Sequence, residues 1–454
     1  MNMSKFKKML GFNTMTFSGG IHPDDSKEAT AAKPIVDLPA SSEMVYPLSQ
    51  HIGAPAVPCV QVGDHVYMGQ KIAEAGGFVS ANIHASVSGT VTAIEPRMHH
   101  TGIKQNAIVI ENDGLDEMVS GIEPKDWKSM SPKEIVDVVC EAGIVGMGGA
   151  TFPTHVKLSP PPDKTIEYVI VNGAECEPYL TSDHRAMLET PEEVIEGLKI
   201  LIKVFGREEG YIAIETNKPD AIALMQEFAA KETDVKINVV PVKTKYPQGS
   251  EKHLIKAVCG REVPPGKLPM DVGAVVDNID TCAAIGRAFM YGTPLMSRIV
   301  TVSGDCIENP SNFRVRIGTD VEDLINKCGG FVKTAAKVIM GGPMMGISMP
   351  YTDVPIVKGS SGILGFSEEM IHGRVKQNCL RCGKCVEGCP MNLLPNIIKE
   401  AVVADDVEKL EKLNTMDCIQ CGSCTYVCPA EQNPLRYVRT GKAKINKKRQ
   451  EAKK

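Results

Sequence analysis

The sequence predicts a multidomain protein of mixed α/β and α+β class, and three observations carry that expectation. Amphipathic helical patterns at 192–205 and 219–231 alternate with strand-like runs at 211–215 and 236–242, the rhythm of an α/β sheet. Glycine-punctuated β runs without such helices flank this block, at 60–94 and again from Arg298. Beyond them, eight cysteines are set at regular intervals between Cys379 and Cys428. At 454 residues the chain exceeds what one hydrophobic core serves, so about three or four domains are expected.

Composition narrows the class. A hydrophobic content of 43% and a charged content of 23% are ordinary for a folded protein. The net charge of −5 gives a nucleic-acid partner no support. Met1 to Gly20 carries lysines but no apolar stretch of signal-peptide length, and no run approaches the eighteen or so apolar residues of a membrane span. A reducing cytoplasm is therefore expected. The cysteines outside the regular set (59, 140, 176, 259, 282, 306, 328) read mostly as small buried hydrophobes.

Taken in order, a short polar lead ends in Phe17-Ser-Gly-Gly-Ile-His-Pro-Asp24. Val60–Ala73 and Ile83–Ile94 then alternate like strands broken by glycine turns. The pattern resembles half of a biotinyl/lipoyl-type barrel sandwich. The turn at 76–82 lacks the lysine those carriers modify, so a structural or docking module is expected over 1–125. Glu123–Ser131 is a polar joint, and Ser131 with Glu134 forms a capping box ahead of Ile135, Val138 and Val139.

The core over 126–297 carries the informative loops. Gly143, Gly146, Gly148 and Gly149, followed by Ala150 and Thr151, leave little side chain to pack and bring backbone N–H groups close to a ligand, commonly phosphate. The pattern is neither G-x-G-x-x-G nor a Walker loop, and by itself a glycine-rich turn is more often structural. Lys157, then Asn172-Gly-Ala-Glu175-Cys-Glu177-Pro, Glu251 and Asp277-Asn278-Ile-Asp-Thr281 fall near strand ends, where α/β sheets place ligands. His22, His84, His155 and His184 read as structural histidines.

From 298 to 358 short β runs, a helix at 320–327 and Lys337–Pro343 suggest a small β-grasp-like unit, with Gly359–Gly365 as the linker onward. The cysteine domain over 359–436 contains Cys379-x2-Cys382-x2-Cys385-x3-Cys389-Pro and Cys418-x2-Cys421-x2-Cys424-x3-Cys428-Pro. Each run has the spacing of bacterial two-cluster ferredoxins, in which the fourth thiolate serves the other cluster. Two 4Fe–4S clusters are expected: one on Cys379, Cys382, Cys385 and Cys428, the other on Cys418, Cys421, Cys424 and Cys389. Zinc knuckles do not call for the repeated Cys-Pro, and a disulfide framework needs an oxidising compartment. Residues 390–417 add a helical insertion near 395–413. The basic segment 437–454 reads as a solvated tail, with an acidic partner or anionic lipid as its functional alternative.

Gly148–Thr154 with Lys157, Asn172–Pro178 and Asp277–Thr281 resemble the FMN/NADH-binding flavoprotein subunit of respiratory complex I, over roughly 130–350. That resemblance implies a phosphate and dinucleotide cradle at Gly146, Gly148, Gly149, Ala150, Thr151 and Lys157. It implies flavin contacts at Asn172, Asn278 and Thr281, and a dinucleotide contact at Glu251. Glu175 and Glu177 would be the acidic, catalytic groups beside flavin and nicotinamide. Thr151 stands where the complex I motif has another glycine, which narrows the cradle. The order of parts, with Phe-Ser-Gly-Gly-Ile-His-Pro at the start and twin cysteine motifs at the end, resembles the C subunit of Rnf ion-translocating electron-transport complexes.

This second resemblance implies non-covalent FMN, two 4Fe–4S clusters and NADH/NAD+ as substrate. It implies a peripheral subunit at the cytoplasmic face of the membrane. Its partners would be the membrane-embedded and iron–sulfur subunits of the complex, with ferredoxin reached indirectly. The flavin/iron–sulfur cobalamin reductases share the central parts and stand as one alternative. An electron-transfer scaffold with a vestigial nucleotide site is another.

Overall fold

The structure is a computed structural model that describes residues 15–371 and 375–452. Four parallel strands form the central sheet in the order Lys236–Val242, Glu209–Glu215, Tyr168–Gly173, Ala274–Asn278. Their nearly continuous apolar runs, such as Tyr168-Val-Ile-Val171, suit strands covered on both faces. Helices Pro191–Val204 and Ile279–Met290 pack against each other beside the sheet, and Glu251–Cys259 contributes to a separate buried cluster with Ile170, Tyr211 and Val276. The expected capping box forms: Glu134 N donates to Ser131 Oγ at 3.3 Å and Ser131 N to Glu134 Oε2 at 2.7 Å, opening the helix Pro132–Glu141.

Ahead of this domain lie two small antiparallel sheets. Glu43–Pro47, Lys104–Asn112, Gly89–Met98 and His65–Val66 form one, and Val57–Pro58, Lys71–Glu74 and Ile83–His84 the other. Met44, Tyr46, Val66, Ile72, Ile83, Val91 and Ile110 fill the core between them. The lead is not part of this module. Met15 bridges Val242 and Ile21 pairs with Tyr246, so residues 15–21 lie along the central domain. Residues 1–14 lie outside the described ones.

The third unit is a six-stranded sheet in the order Ile35–Asp37, Ser311–Arg316, Ser297–Ser303, Gly362–Phe366, Lys337–Met340, Ile347–Met349. This corrects the linker expected at Gly359–Gly365 and the boundary at 358. Gly362–Phe366 is a fully buried interior strand, paired on both sides. The glycines there serve close packing, since a Cβ on Gly362 would stand 2.3 Å from Leu180 Cδ2. Strand Ile35–Asp37, which precedes the barrel-sandwich sheets in the chain, completes one edge.

In the cysteine domain the two motifs share a backbone. Left-handed residues recur 39 positions apart, Arg381 with Gln420, Gly383 with Gly422 and Asn392 with Glu431. A one-turn helix follows each triplet, Lys384–Glu387 and Ser423–Tyr426. The insertion forms two helices, Pro395–Val403 and Val407–Lys412. The expected tail from 437 is corrected as well. Pro434–Glu451 is one helix whose Leu435, Val438, Gly441 and Ile445 are buried against the insertion, so its apolar spacing outweighs its basic composition. Lys453 and Lys454 lie outside the described residues.

Candidate functional site

The order of the central sheet reverses direction at Tyr168–Gly173. The chain steps outward from it through Glu209–Glu215 to Lys236–Val242, then returns to place Ala274–Asn278 on its other side. In α/β sheets the crevice beyond the carboxyl ends of two such strands is the ligand site. Asn172 and Asn278 stand there as register partners. Asn172 Nδ2 donates to Gly249 O at 2.8 Å, while its Oδ1 accepts from Ala174 N at 3.2 Å. Asn278 caps the helix Ile279–Met290, its Oδ1 accepting from Asp280 N at 2.9 Å, and its Nδ2 donates to Asp183 Oδ2 at 2.6 Å.

The glycine loop lies against this pair. Gly146 N donates to Phe152 O at 2.8 Å, closing the loop on itself, and Met147 N donates to the buried Thr281 Oγ1 at 2.8 Å. A Cβ on Gly148 would sit 3.2 Å from Asn278 Cβ. Thr281 thus acts on the loop, whose own backbone remains the part available to a ligand. At Gly149, with φ +112°, nothing stands within 4 Å of where a side chain would begin. Thr151 adopts φ +46°, strain that a glycine would not feel.

Lys157 is already paired, donating to Val276 O at 2.6 Å and lying 3.3 Å from Glu251 and 3.6 Å from Asp277. Its ammonium compensates buried Asp277, whose Oδ2 has no hydrogen-bond partner. Glu251 belongs to the same charge cluster, which the glycine loop and the two asparagines adjoin.

Glu175 and Glu177 point to different places. Glu175 has φ +46°; its Oε1 accepts from Asp183 N at 2.7 Å, and its buried Oε2 lacks a hydrogen bond, with Lys27 3.6 Å away. Burial, reinforced by the charges of Glu175 and Asp280, pushes the Asp183 carboxyl up to about 8. Glu177 instead faces the β unit, accepting from Met344 N at 3.0 Å, and burial pushes its carboxyl up to about 7. Two buried lysines clamp the loop between them. Lys27 Nζ donates to Glu177 O at 3.1 Å and to Leu180 O, and Lys218 Nζ donates to Ala174 O at 2.7 Å.

The cysteines of the twin motifs fall into two groups. Cys389, Cys418, Cys421 and Cys424 converge on one cavity walled by apolar side chains including Leu393, Leu435 and Val438. Burial raises the Cys418 thiol, and the neighbouring thiolates of Cys421 and Cys389 raise it further. In the other group burial raises Cys385, with Cys428 and Cys379 adding to it.

The first set is seated on the rest of the chain. Tyr246 Oη donates to Cys421 O at 2.7 Å, and His253 Nε2 lies 3.0 Å from Pro390 O. A Cβ on Gly422 would meet Met344 O at 3.0 Å, and one on Gly19 would meet Cys389 O at 3.4 Å.

These features fit the expected groups. Four thiols facing an enclosed apolar space are a ligand set for an iron–sulfur cluster. The open backbone at Gly149, beside a switch-point crevice, fits a flavin nucleotide.

Comparison with known proteins agrees. The family model for the RnfC barrel sandwich hybrid domain matches residues 15–115, the Nuo51 FMN-binding domain 139–287, the SLBB domain 299–348 and the 4Fe–4S dicluster domain 373–429. The chain is 50% identical, over 93% of its length and 93% of the relative's, to the C subunit of the proton-translocating ferredoxin:NAD(+) oxidoreductase complex of Clostridium ljungdahlii. This chain belongs to the RnfC family. The Na(+)-translocating counterpart of Acetobacterium woodii is 47% identical, over 95% of this chain and 97% of that protein. The C subunit of the ion-translocating oxidoreductase complex of Rhodobacter capsulatus is 43% identical, over 89% and 78%. An NAD+-reducing NiFe-hydrogenase in its H2-reduced state aligns at 18% identity and a TM-score of 0.48, over 70% of this chain and 64% of that chain, too loosely to bear on function. Identity to RnfC proteins along nearly the whole chain, barrel sandwich first, leaves the cobalamin-reductase alternative without support.

Sequence reasoning assigned no role to Lys27, Asp183, Lys218, Tyr246, His253 or Met344. Lys245-Tyr-Pro-Gln-Gly-Ser was a visible signal, a glycine- and proline-bearing loop at a strand end. Lys27 and Met344 gave none, because their roles exist only once distant segments meet.

Proposed function

We propose that this chain is the NAD(H)-handling subunit of an Rnf-type complex, peripheral at the cytoplasmic face of the membrane. It exchanges electrons between NAD(H) and ferredoxin-linked membrane subunits, which carry the coupled ion movement. Among the described residues no helix is long and apolar enough to cross a membrane. The observation that carries the reading is the meeting of three features on one domain: the glycine loop, the Asn172/Asn278 switch point and the seat of Cys389, Cys418, Cys421 and Cys424.

When bound, FMN supplies two-electron exchange with NAD(H) and one-electron exchange with iron–sulfur centres. The chain does the rest. Backbone N–H groups of Gly148–Thr151 would hold phosphate, the N–H groups of Gly146 and Met147 being spent on closing and anchoring the loop, and Lys157 keeps Asp277 and Glu251 from repelling it. Asn172 and Asn278, their amides engaged with the loops around them, would shape the floor of the flavin site, and Thr281 fixes the glycine loop from behind. Glu175, buried and ion-paired with Lys27, anchors the loop behind the nucleotide site, and Lys27 and Lys218 prevent that loop from relaxing. Glu177 joins the nucleotide domain to the seat of the inner cysteines. Cys389 and Cys428 cross between motifs so that each site closes only when both are folded.

The experiment is direct. Purified chain reconstituted with FMN, iron and sulfide should show NADH-dependent bleaching of flavin absorbance and reduction of an artificial acceptor. Flavin that stays unbleached while both clusters assemble would instead identify an electron-transfer scaffold.

A further inference from the structure

The N-terminal module has no part in the function so far. Its turn at 76–82, where related carriers hold a swinging lysine, is tied down on the nucleotide domain. Asn82 Nδ2 donates to Cys140 O and Glu141 O at 3.4 Å each, and His155 Nε2 lies 3.3 Å from Phe78 O. A neighbouring loop joins it. Ala54 N donates to Val79 O at 2.9 Å, and Ile52 N donates to Thr151 O at 3.3 Å. Ala81 N donates to His51 Nε2 at 3.0 Å. The two loops therefore form one rigid rim, hydrogen-bonded at Thr151 to the glycine loop and at His155 to the helix that carries Lys157.

The rim is held by backbone, and its apolar side chains are left over. Phe78 is 72% exposed, its ring edge-on to His155 at 6.4 Å, and Ile52 is 53% exposed. Ile52 is tied to the glycine loop through Thr151, Phe78 reaches the helix that follows that loop through His155, and Gly149 of the loop faces open space. A flat aromatic ring held beside a phosphate cradle suits a purine, which stacks on any π face at little cost in specificity. We propose that Phe78 and Ile52 of the barrel-sandwich module form the wall against which the adenine of NAD(H) packs, so that the dinucleotide site is completed across two domains. This rests on the assignment of NAD(H) to the glycine loop.

The test uses the full-length reconstituted chain, its flavin and clusters reduced beforehand so that no hydride transfer accompanies binding, and equilibrium calorimetry with NADH and, separately, with reduced nicotinamide mononucleotide, which lacks the adenosine half. Phe78→Ala is expected to raise the dissociation constant for NADH roughly tenfold, as loss of one base–aromatic stack does. Affinity for the mononucleotide should stay unchanged, and Phe78→Trp should retain NADH affinity. Wild-type protein that fails to bind NADH would overturn the nucleotide assignment itself. Wild-type binding with an unchanged constant in Phe78→Ala, or an equal loss for both ligands, would overturn the adenine wall alone. Unchanged NADH binding coupled with lost complex assembly would overturn it too, and make the rim a docking face for another member of the complex.

Discussion

Cys418, Cys421, Cys424 and Cys389 stand inside a wall of apolar side chains, whereas Cys379 and Cys382, built from the same motif and the same backbone turns, are exposed. The asymmetry is not local. The inner set is covered by parts from everywhere else: the lead at Gly19 and Ile21, the nucleotide domain at Tyr246 and His253, the β unit at Met344, and the C-terminal helix at Leu435 and Val438. The outer set has Leu380 and Val375 exposed beside it. A duplicated motif has thus been given one buried and one exposed end, the arrangement a relay needs if charge enters on one side and leaves on the other.

Four experiments probe that contrast. The largest effect is expected from Cys424→Ala, which should remove about four irons per chain and loosen the helices packed round the cavity. Cys382→Ala should lose as much iron yet keep its helical circular dichroism and NADH-dependent flavin bleaching. Equal unfolding in both variants would abolish the distinction. Next comes Gly441→Leu. A Cβ there already lies 3.2 Å from Thr415 Cγ2 and Val402 Cγ2, so a larger chain should prise the C-terminal helix from the inner site. We expect a loss of about 1–3 kcal/mol, read by denaturant unfolding, with the outer cluster's EPR signal unchanged.

Tyr246→Phe removes one donor to Cys421 O. Leaving that buried carbonyl unpaired should cost roughly 1–2 kcal/mol and shift the redox midpoint of the inner cluster only, as seen by potentiometric EPR. The smallest effect is a pH dependence at Glu177. Burial lifts its carboxyl from 4.5 to about 7, so the folded chain keeps a proton that the unfolded chain releases between those values. Stability from this group therefore falls as pH rises through that window, and the full cost is present above it. Glu177→Gln should match the parent near pH 4 and exceed it at pH 8 by on the order of 3 kcal/mol. A constant difference across pH would sink this account.

Much of this was legible from short-range pattern. Cysteine spacing groups Cys418, Cys421 and Cys424 with the distant Cys389, and apolar period marks the helices and strands of the core. Asn172 and Asn278 fall at strand ends on pattern alone. Legibility failed where meaning depends on what a segment meets. Gly359–Gly365 looks like a linker because glycine signals flexibility in isolation, yet Gly362 and Gly365 admit Leu180 and Phe331 against an interior strand. The basic C-terminal segment hides four well-spaced apolar positions among its lysines and arginines. Glu175 and Glu177, two residues apart, read as a pair, but the left-handed turn at Glu175 sends them toward different neighbours.

Residues 15–21 lie across the face that receives Cys389, so they emerge from the ribosome hundreds of residues before the sulfurs they will shelter. One side of the berth is thus made before its late-arriving cargo, and the last helix, with Leu435 and Val438, closes the other side.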